Sequence, residues 1–337
     1  MPGINIKKER ISLAHGAGGA LTSELIGRCI LKYFKGAVLG ALDDSAVIDL
    51  PSTALIFTSD SFTVNPLFFP GGNIGKLAVC GTVNDILAQG GDPLYMSMNL
   101  IIEEGFSFSD LERIMASMAR EAEKCGIELA CGDTKVVEKG KCDGLFISCS
   151  GIGRKVLNIS PERIKTGDPV IINGTAGEHE AAIFNEKSGM FSTKMRSDCE
   201  GLTGLFNAVK RFGDKIHFMR DPTRGGIAHN LHEIAVKSGK SISLKGKDIP
   251  VGRNVLALAE LTGMDHLYFA CEGRMLIICS PDISRSVVSA LKKTGYTRAS
   301  VIGIVERPSG SELTVEMKNG KERILKELDF SLTPRIC

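Results

Sequence analysis

The groups able to do covalent chemistry are few, and the most conspicuous is the last residue. The chain ends Pro334-Arg335-Ile336-Cys337. A thiol there lies beyond the last expected core element, and chain ends move unless something docks them. Pro334 keeps the residue before it extended. The expectation is a thiol on a short flexible arm, residues 331–337, able to reach a pocket in its own chain or in a partner. The plainer alternative is a frayed end with an incidental cysteine. None of the ten cysteines forms a C-x-x-C pair, so a zinc ribbon or a thioredoxin-type motif is not supported. Cys149 and Cys279 lie inside apolar runs and read as small buried hydrophobes. Cys337 alone is accessible by position.

Carboxylates come next. Asp43, Asp44 and Asp60 stand beside short strand-like runs. They are either solvated turn residues or hard oxygen ligands for Mg²⁺, which takes one or two carboxylates plus phosphate oxygens. Asn84 and Asp85 are polar residues inside an apolar helical segment. They need a partner, either a metal–phosphate or a structural cap. Asp133 and Lys135 follow a strand-like run ending at Cys131, and they share a face if the strand continues. Strand ends are where α/β folds place ligand chemistry; a surface ion pair of little worth is the alternative. Glu272 sits in a turn between apolar segments.

Three glycine-containing loops suit anions at helix starts: His15-Gly16-Ala17-Gly18-Gly19, Pro66 to Lys76, and Arg220-Asp221-Pro222-Thr223-Arg224-Gly225-Gly226. The first is no G-x-G-x-x-G, because Leu21 takes the third glycine's place. The second is no Walker A loop, because Pro70 replaces its first glycine and Leu77 follows the lysine. His179, between Glu178 and Glu180, reads as an ion-paired loop residue. His229 and His232 fall off the apolar face of their helix and read as solvent-facing.

These residues need a scaffold. A length of 337 residues suits about two domains. Apolar content of 43% and charged content of 24% are those of a soluble globular protein. A net charge of +2 makes no case for nucleic acid or membrane binding. No apolar run approaches the ~20 residues of a transmembrane helix, and the N-terminus has no signal-peptide core. A reducing cytoplasm with free thiols is expected. Helical patterns cover Leu21–Leu31, Leu77–Ala88, a segment opened by the capping box Ser109-x-x-Glu112 and closed by Gly126, and the segment after Gly226. Strand-like runs and a hairpin at Asn319-Gly320 alternate with them, which predicts mixed sheets of α+β character. The expected division is 1–155, 156–330 and the tail 331–337, with the linker near 158–167.

In order along the chain, the His15 loop, Pro66 to Lys76, Gly132 to Val137, Arg220 to Gly226 and Pro334 to Cys337 resemble the HypE family. These are the carbamoyl dehydratases of hydrogenase maturation, in the aminoimidazole ribonucleotide (AIR) synthase-like superfamily. The terminal Pro-Arg-Ile-Cys is the most specific element. The resemblance implies two α/β domains, with the N-terminal domains of a homodimer pairing into a β-barrel and ATP near that interface. It implies that a HypF-type partner carbamoylates Cys337, that the chain then uses ATP to dehydrate the S-carboxamide to a thiocyanate, and that the cyano group passes to iron on a HypC–HypD complex. It assigns Mg²⁺ to Asp43, Asp44, Asp60 and Asp85, and ATP to these with Gly71, Gly72, Lys76, Asn84, Asp133, Thr134 and Arg224. Cys337 becomes the covalent carrier, helped by Arg335. Glu272, poised by Lys135, becomes the proton acceptor. Two departures stand out. The family's Gly-Asp-His-Gly reads Gly177-Glu178-His179-Glu180 here, leaving the role of His179 open, and the usual Asn before Glu272 is Cys271. Other readings are a selenophosphate synthetase, a thiamine-phosphate kinase, or a scaffold that only presents Cys337. The synthetase would carry its reactive Cys near the first glycine loop, and a kinase would need no terminal thiol.

Overall fold

The computed structural model describes residues 19, 20, 23, 46–50, 53–310, 312–317, 319–328 and 333–337. Asp43, Asp44, His15 and nearly all of the expected Leu21–Leu31 helix lie outside these residues.

The first domain is a five-stranded sheet laid over one helix. Its strands are β1 (Ala46–Leu50), β2 (Thr53–Phe62), β5 (Gly91–Glu103), β6 (Glu128–Val137) and β7 (Leu145–Lys155); a small hairpin, β3 (Phe68–Phe69) and β4 (Gly72–Asn73), stands apart. The spatial order is β1-β2-β7-β5-β6, an open sheet with no closed barrel among the described residues. Only β5 and β6 run parallel. Helix α1 (Ile74–Ala88) is apolar nearly all round, and 13 of its 15 residues are buried, as expected for a helix covered on every side. Asn73 caps it by accepting from Lys76 N–H at 3.0 Å.

Helix α2 (Phe108–Cys125) packs beside α1 with one face buried through Ile114 and Met118. Its cap is Ser107, which accepts from Asp110 N–H at 3.3 Å, so Ser109 lies inside the helix and the expected capping box is displaced by two residues. Gly126 ends it at φ 69°, in the left-handed region a glycine adopts at least cost.

The second domain is a seven-stranded sheet ordered β14-β13-β10-β12-β8-β11-β9. Its strands are β8 (Pro169–Ile172), β9 (Ile216–Arg220), β10 (Ser241–Lys245), β11 (Leu276–Cys279), β12 (Ser300–Glu306), β13 (Leu313–Glu316) and β14 (Glu322–Ile324). All neighbours are antiparallel except β10 and β13. Helices α3 (Glu178–Ser188), α4 (Thr203–Val209), α5 (Gly226–Ser238), α6 (Arg253–Thr262) and α7 (Ser284–Lys293) complete it. The fold is therefore mixed α/β in two domains, as expected. One apolar core runs through both, with α1 touching β2 and β7 on one side and β9 and α4 on the other. Among the described residues, no helix is long and apolar enough to cross a membrane.

Candidate functional site

The site lies where α1 meets the second domain. On β2 the inward positions are Ile56, Thr58, Asp60 and Phe62. Thr58 is 3% exposed and donates to Asp85 Oδ2 on α1 at 2.5 Å. A buried polar group is costly unless hydrogen-bonded, and this contact satisfies the Thr58 hydroxyl. Asn84, one residue earlier, is fully engaged in structure. It donates to the carbonyls of Glu200 (3.1 Å) and Glu272 (3.4 Å) and accepts from Leu202 N–H (2.9 Å). The expected ligand role of Asn84 gives way to a tie between domains.

That tie grips a buried irregular strap, Met195 to Leu202, for which the sequence offered no motif. Asp198 on the strap accepts from Glu272 N–H at 3.2 Å, and its other carboxylate oxygen lies 3.6 Å from Arg274. A Cβ on Gly273 would collide with the Asp198 carbonyl, so only glycine admits the strap this close to the turn. The turn is also joined to the Arg220–Gly226 loop, through Cys271 N–H to the Pro222 carbonyl at 3.0 Å. The Cys271 sulfur accepts from Gly177 N–H at 3.1 Å, so the replacement of Asn still provides an acceptor.

The tail returns into this junction. Cys337 carbonyl accepts from Thr63 N–H (3.0 Å) and Thr63 Oγ1 (3.2 Å), and Arg335 carbonyl accepts from Asn65 N–H (3.2 Å). The alternation is that of a short strand added beyond the end of β2. Lys187 donates to the Pro334 carbonyl at 2.8 Å, and Ile336 is 2% exposed. The tail, expected as a short arm able to reach a pocket in its own chain or in a partner, is thus seated in its own chain. Arg335 does not serve the thiol. It takes φ 52°, bonds the Thr63 carbonyl at 2.9 Å and pairs with Asp143. The cation acting on Cys337 is Arg224.

The electrostatics converge on the same place. The Arg224 guanidinium is held above its ordinary pKa, first by Cys337 and then by Asp60, Glu272 and Asp85. Burial pushes the Cys337 thiol up to about 12, with Arg224 opposing and Glu272 and Asp60 adding to the rise. Burial also pushes Glu272 well above the carboxylate range, reinforced by Cys199, Asp221, Asp198 and Asp60. Glu272 Oε1 is buried without a hydrogen-bond partner. A raised pKa makes this carboxylate a stronger base in its ionised form.

Other expected residues fall elsewhere. Gly71, Gly72 and Lys76 line a separate cavity of about 460 Å³ with Phe68, Arg113 and Arg120. Strand β6 does continue through Asp133, Thr134 and Lys135. Asp133 and Lys135 pair at 3.0 Å with side chains 57% and 70% exposed, and Lys135 is not among the charges acting most on Glu272. His179 is not an ion-paired loop residue; it is 0% exposed and bonds the tail. His229 is buried and bonds Glu233 at 3.3 Å instead of facing solvent. Cys131 is an exposed thiol that position alone did not reveal. Among the described residues no cluster of three or more His, Cys, Asp or Glu could hold a metal ion. Asp60 and Asp85 both act on Arg224.

This geometry belongs to a known class. Residues 42–155 match the profile of AIR synthase related protein, N-terminal domain, and residues 165–316 match its C-terminal domain. Within that class the chain belongs to the HypE family. It is 40% identical to carbamoyl dehydratase HypE of Bradyrhizobium diazoefficiens over 339 residues, covering 99% of this chain and 98% of the relative. Among solved structures, HypE in a HypE–HypF complex superposes with a TM-score of 0.86 at 40% identity, covering 90% of this chain and 99% of that one. HypE in complex with ATP gives 0.81 at 36% identity, covering 96% and 99%.

Proposed function

We propose that the chain uses ATP to dehydrate an S-carboxamide on Cys337 to a thiocyanate, supplying the cyanide ligands for the iron of [NiFe] hydrogenase. The observation that carries this reading is the seating of the tail through Thr63 N–H to the Cys337 carbonyl and Asn65 N–H to the Arg335 carbonyl, with Ile336 buried, where Arg224, Glu272 and Asp60 act on the thiol. An amide oxygen is a poor leaving group. Its attack on the γ-phosphorus expels ADP and, with loss of one amide proton, makes an imidate phosphate. Loss of phosphate and of the second N–H proton then forms the nitrile. Arg224 stabilises charge on the phosphoryl group as it transfers. Glu272 accepts the amide proton. Asp60 and Asp85, with Asp43 and Asp44 as further candidates, would hold Mg²⁺, which would supply charge neutralisation at the phosphates.

Burial raises the pKa of the seated Cys337 thiol, which lowers its thiolate fraction and its nucleophilicity. We assign carbamoyl loading to a HypF-type partner, in line with the complex formed by a relative. Delivery to a HypC–HypD complex would follow release. We also infer a homodimer through the open face of the first sheet, where Phe57, Tyr95 and Ile101 are 41%, 47% and 41% exposed. A mass by light scattering that stays monomeric at all concentrations would refute it.

The test of the chemistry is the mass of the C-terminal peptide after incubation with carbamoyl donor, HypF-type transferase and Mg²⁺–ATP. Cys337 should gain about 43 Da without ATP and about 25 Da with it, as CONH₂ and then CN replace the thiol hydrogen. ATP consumption with an unmodified peptide would point instead to a small-molecule kinase.

A further inference from the structure

The carbonyl just before Cys337 is held by a buried ring for which the proposed chemistry has no use. His179 Nε2 lies 2.8 Å from Ile336 O. A carbonyl only accepts, so Nε2 carries the proton. Nδ1 lies 2.7 Å from Ser197 Oγ, and burial lowers the pKa of the ring, leaving it neutral. Nδ1 is then an acceptor, and the Ser197 hydroxyl must donate to it. Ser197 Oγ accepts in turn from Cys199 N–H at 3.0 Å. The relay runs one way, from the strap through the ring to the tail. Phe69 meets the ring edge-on, with centroids 5.5 Å apart at 88°, and fixes its plane.

We propose that His179 is the positioning residue that sets the register of the tail, so that the group on Cys337 meets Arg224 and Glu272 together. This rests on the reading of Cys337 as carrier. Arg335, on the Thr63 carbonyl and Asp143, and the buried Ile336 contribute to register, whereas the main-chain contacts specify it weakly. Thr63 and Asn65 offer main-chain N–H groups two residues apart, which a two-residue slip would pair again. Lys187 already reaches the carbonyls of both Pro334 and Arg335, at 2.8 and 3.5 Å. His179 binds one carbonyl from a fixed direction. The strap that fixes its tautomer also fixes Glu272, through Asp198 to Glu272 N–H and through Glu200 N–H to the Glu272 carbonyl at 3.3 Å. Carrier and proton acceptor are thereby referred to a single segment.

The experiment uses the full chain and the variants His179→Leu, His179→Gln and Ser197→Ala. One readout is the rate at which N-ethylmaleimide alkylates Cys337. The other is the ATP-dependent conversion of carbamoylated Cys337, followed by mass. His179→Leu should speed alkylation and slow conversion, each about tenfold, as expected for a lost buried hydrogen bond. Gln can place an amide N–H near the Nε2 position, so His179→Gln should stay within about threefold of wild type. Ser197→Ala should fall between them, and it keeps the test decisive if His179→Leu folds poorly. Wild-type rates in both His179→Leu and Ser197→Ala would overturn the proposal. So would a His179→Gln variant as impaired as His179→Leu, since packing alone would then explain the ring. If wild-type Cys337 never accepts a carbamoyl group, the carrier reading fails, while alkylation still decides whether His179 clamps the tail.

Discussion

The inner cluster around Cys337 and the outer pair Asp133–Lys135 were both expected to do chemistry, and they are built in opposite ways. In the cluster, Glu272 is held by the strap, by Asn84 of α1 and by the turn itself, and burial moves its pKa. On β6, Asp133 and Lys135 stand on the open end of a sheet, more than half exposed. Enclosure tunes a group, whereas an exposed ion pair is worth little until something covers it. On the proposed homodimer, a second surface over β6 would strengthen the outer pair.

The largest expected effect breaks the inner half. Glu272→Gln should slow conversion of carbamoylated Cys337 by about 10²-fold or more, as loss of a general base does, while ATP binding stays measurable. Unchanged conversion would remove Glu272 from the reaction. Lys135→Ala comes next and sharpens the comparison, with an expected loss of about 10-fold or more if the lysine stabilises transferring charge. If Lys135 acts across a dimer, equal mixing of Lys135→Ala and Glu272→Gln chains should restore about a quarter of the wild-type sites, the share that random pairing in a two-fold dimer provides. No recovery on mixing would place Lys135 in its own chain's site or outside the chemistry altogether.

The smallest effect concerns Glu180, buried under the tail. Burial pushes it up to about 7, against hydrogen bonds from Ala270 N–H and Thr333. The folded state then binds a proton that the unfolded chain releases above pH ~4.5, so stability falls as pH rises through that value towards 7, by on the order of 3 kcal/mol at most. Glu180→Gln has no proton to lose. Its melting temperature should rise relative to wild type between pH 5 and pH 7, and a constant difference across that range would refute the shift.

The sequence showed the scaffold better than the site. Period-2 and helical patterns sufficed for α2, β7 and β12, because burial alone organises them. Glu272, Arg224 and Cys337 stood out as a turn carboxylate, a loop arginine and a terminal thiol. They lie 48 to 113 residues apart along the chain, so local patterns are blind to their meeting. One signal was only half read: Asp60 was singled out, but Thr58 lies with it between Ile56 and Phe62 on the inward face of β2, and polar residues there break the rule for a core strand. The Met195–Leu202 strap has no periodicity, and its role comes wholly from what it touches. His179 was invisible for the same reason, since its partner is the carbonyl of Ile336 at the far end of the chain.

The seated tail also fixes how the chain can count its substrate. A reactant carried on the same polypeptide meets its site at an effective concentration on the order of millimolar, whatever the dilution of the protein. Saturation in the ordinary sense does not apply to it. On the proposed carrier reading, conversion per chain would be independent of protein concentration, and each chain would handle one load per visit of its tail. Any small molecule competing for the cleft must outbid a local rival that dilution never removes.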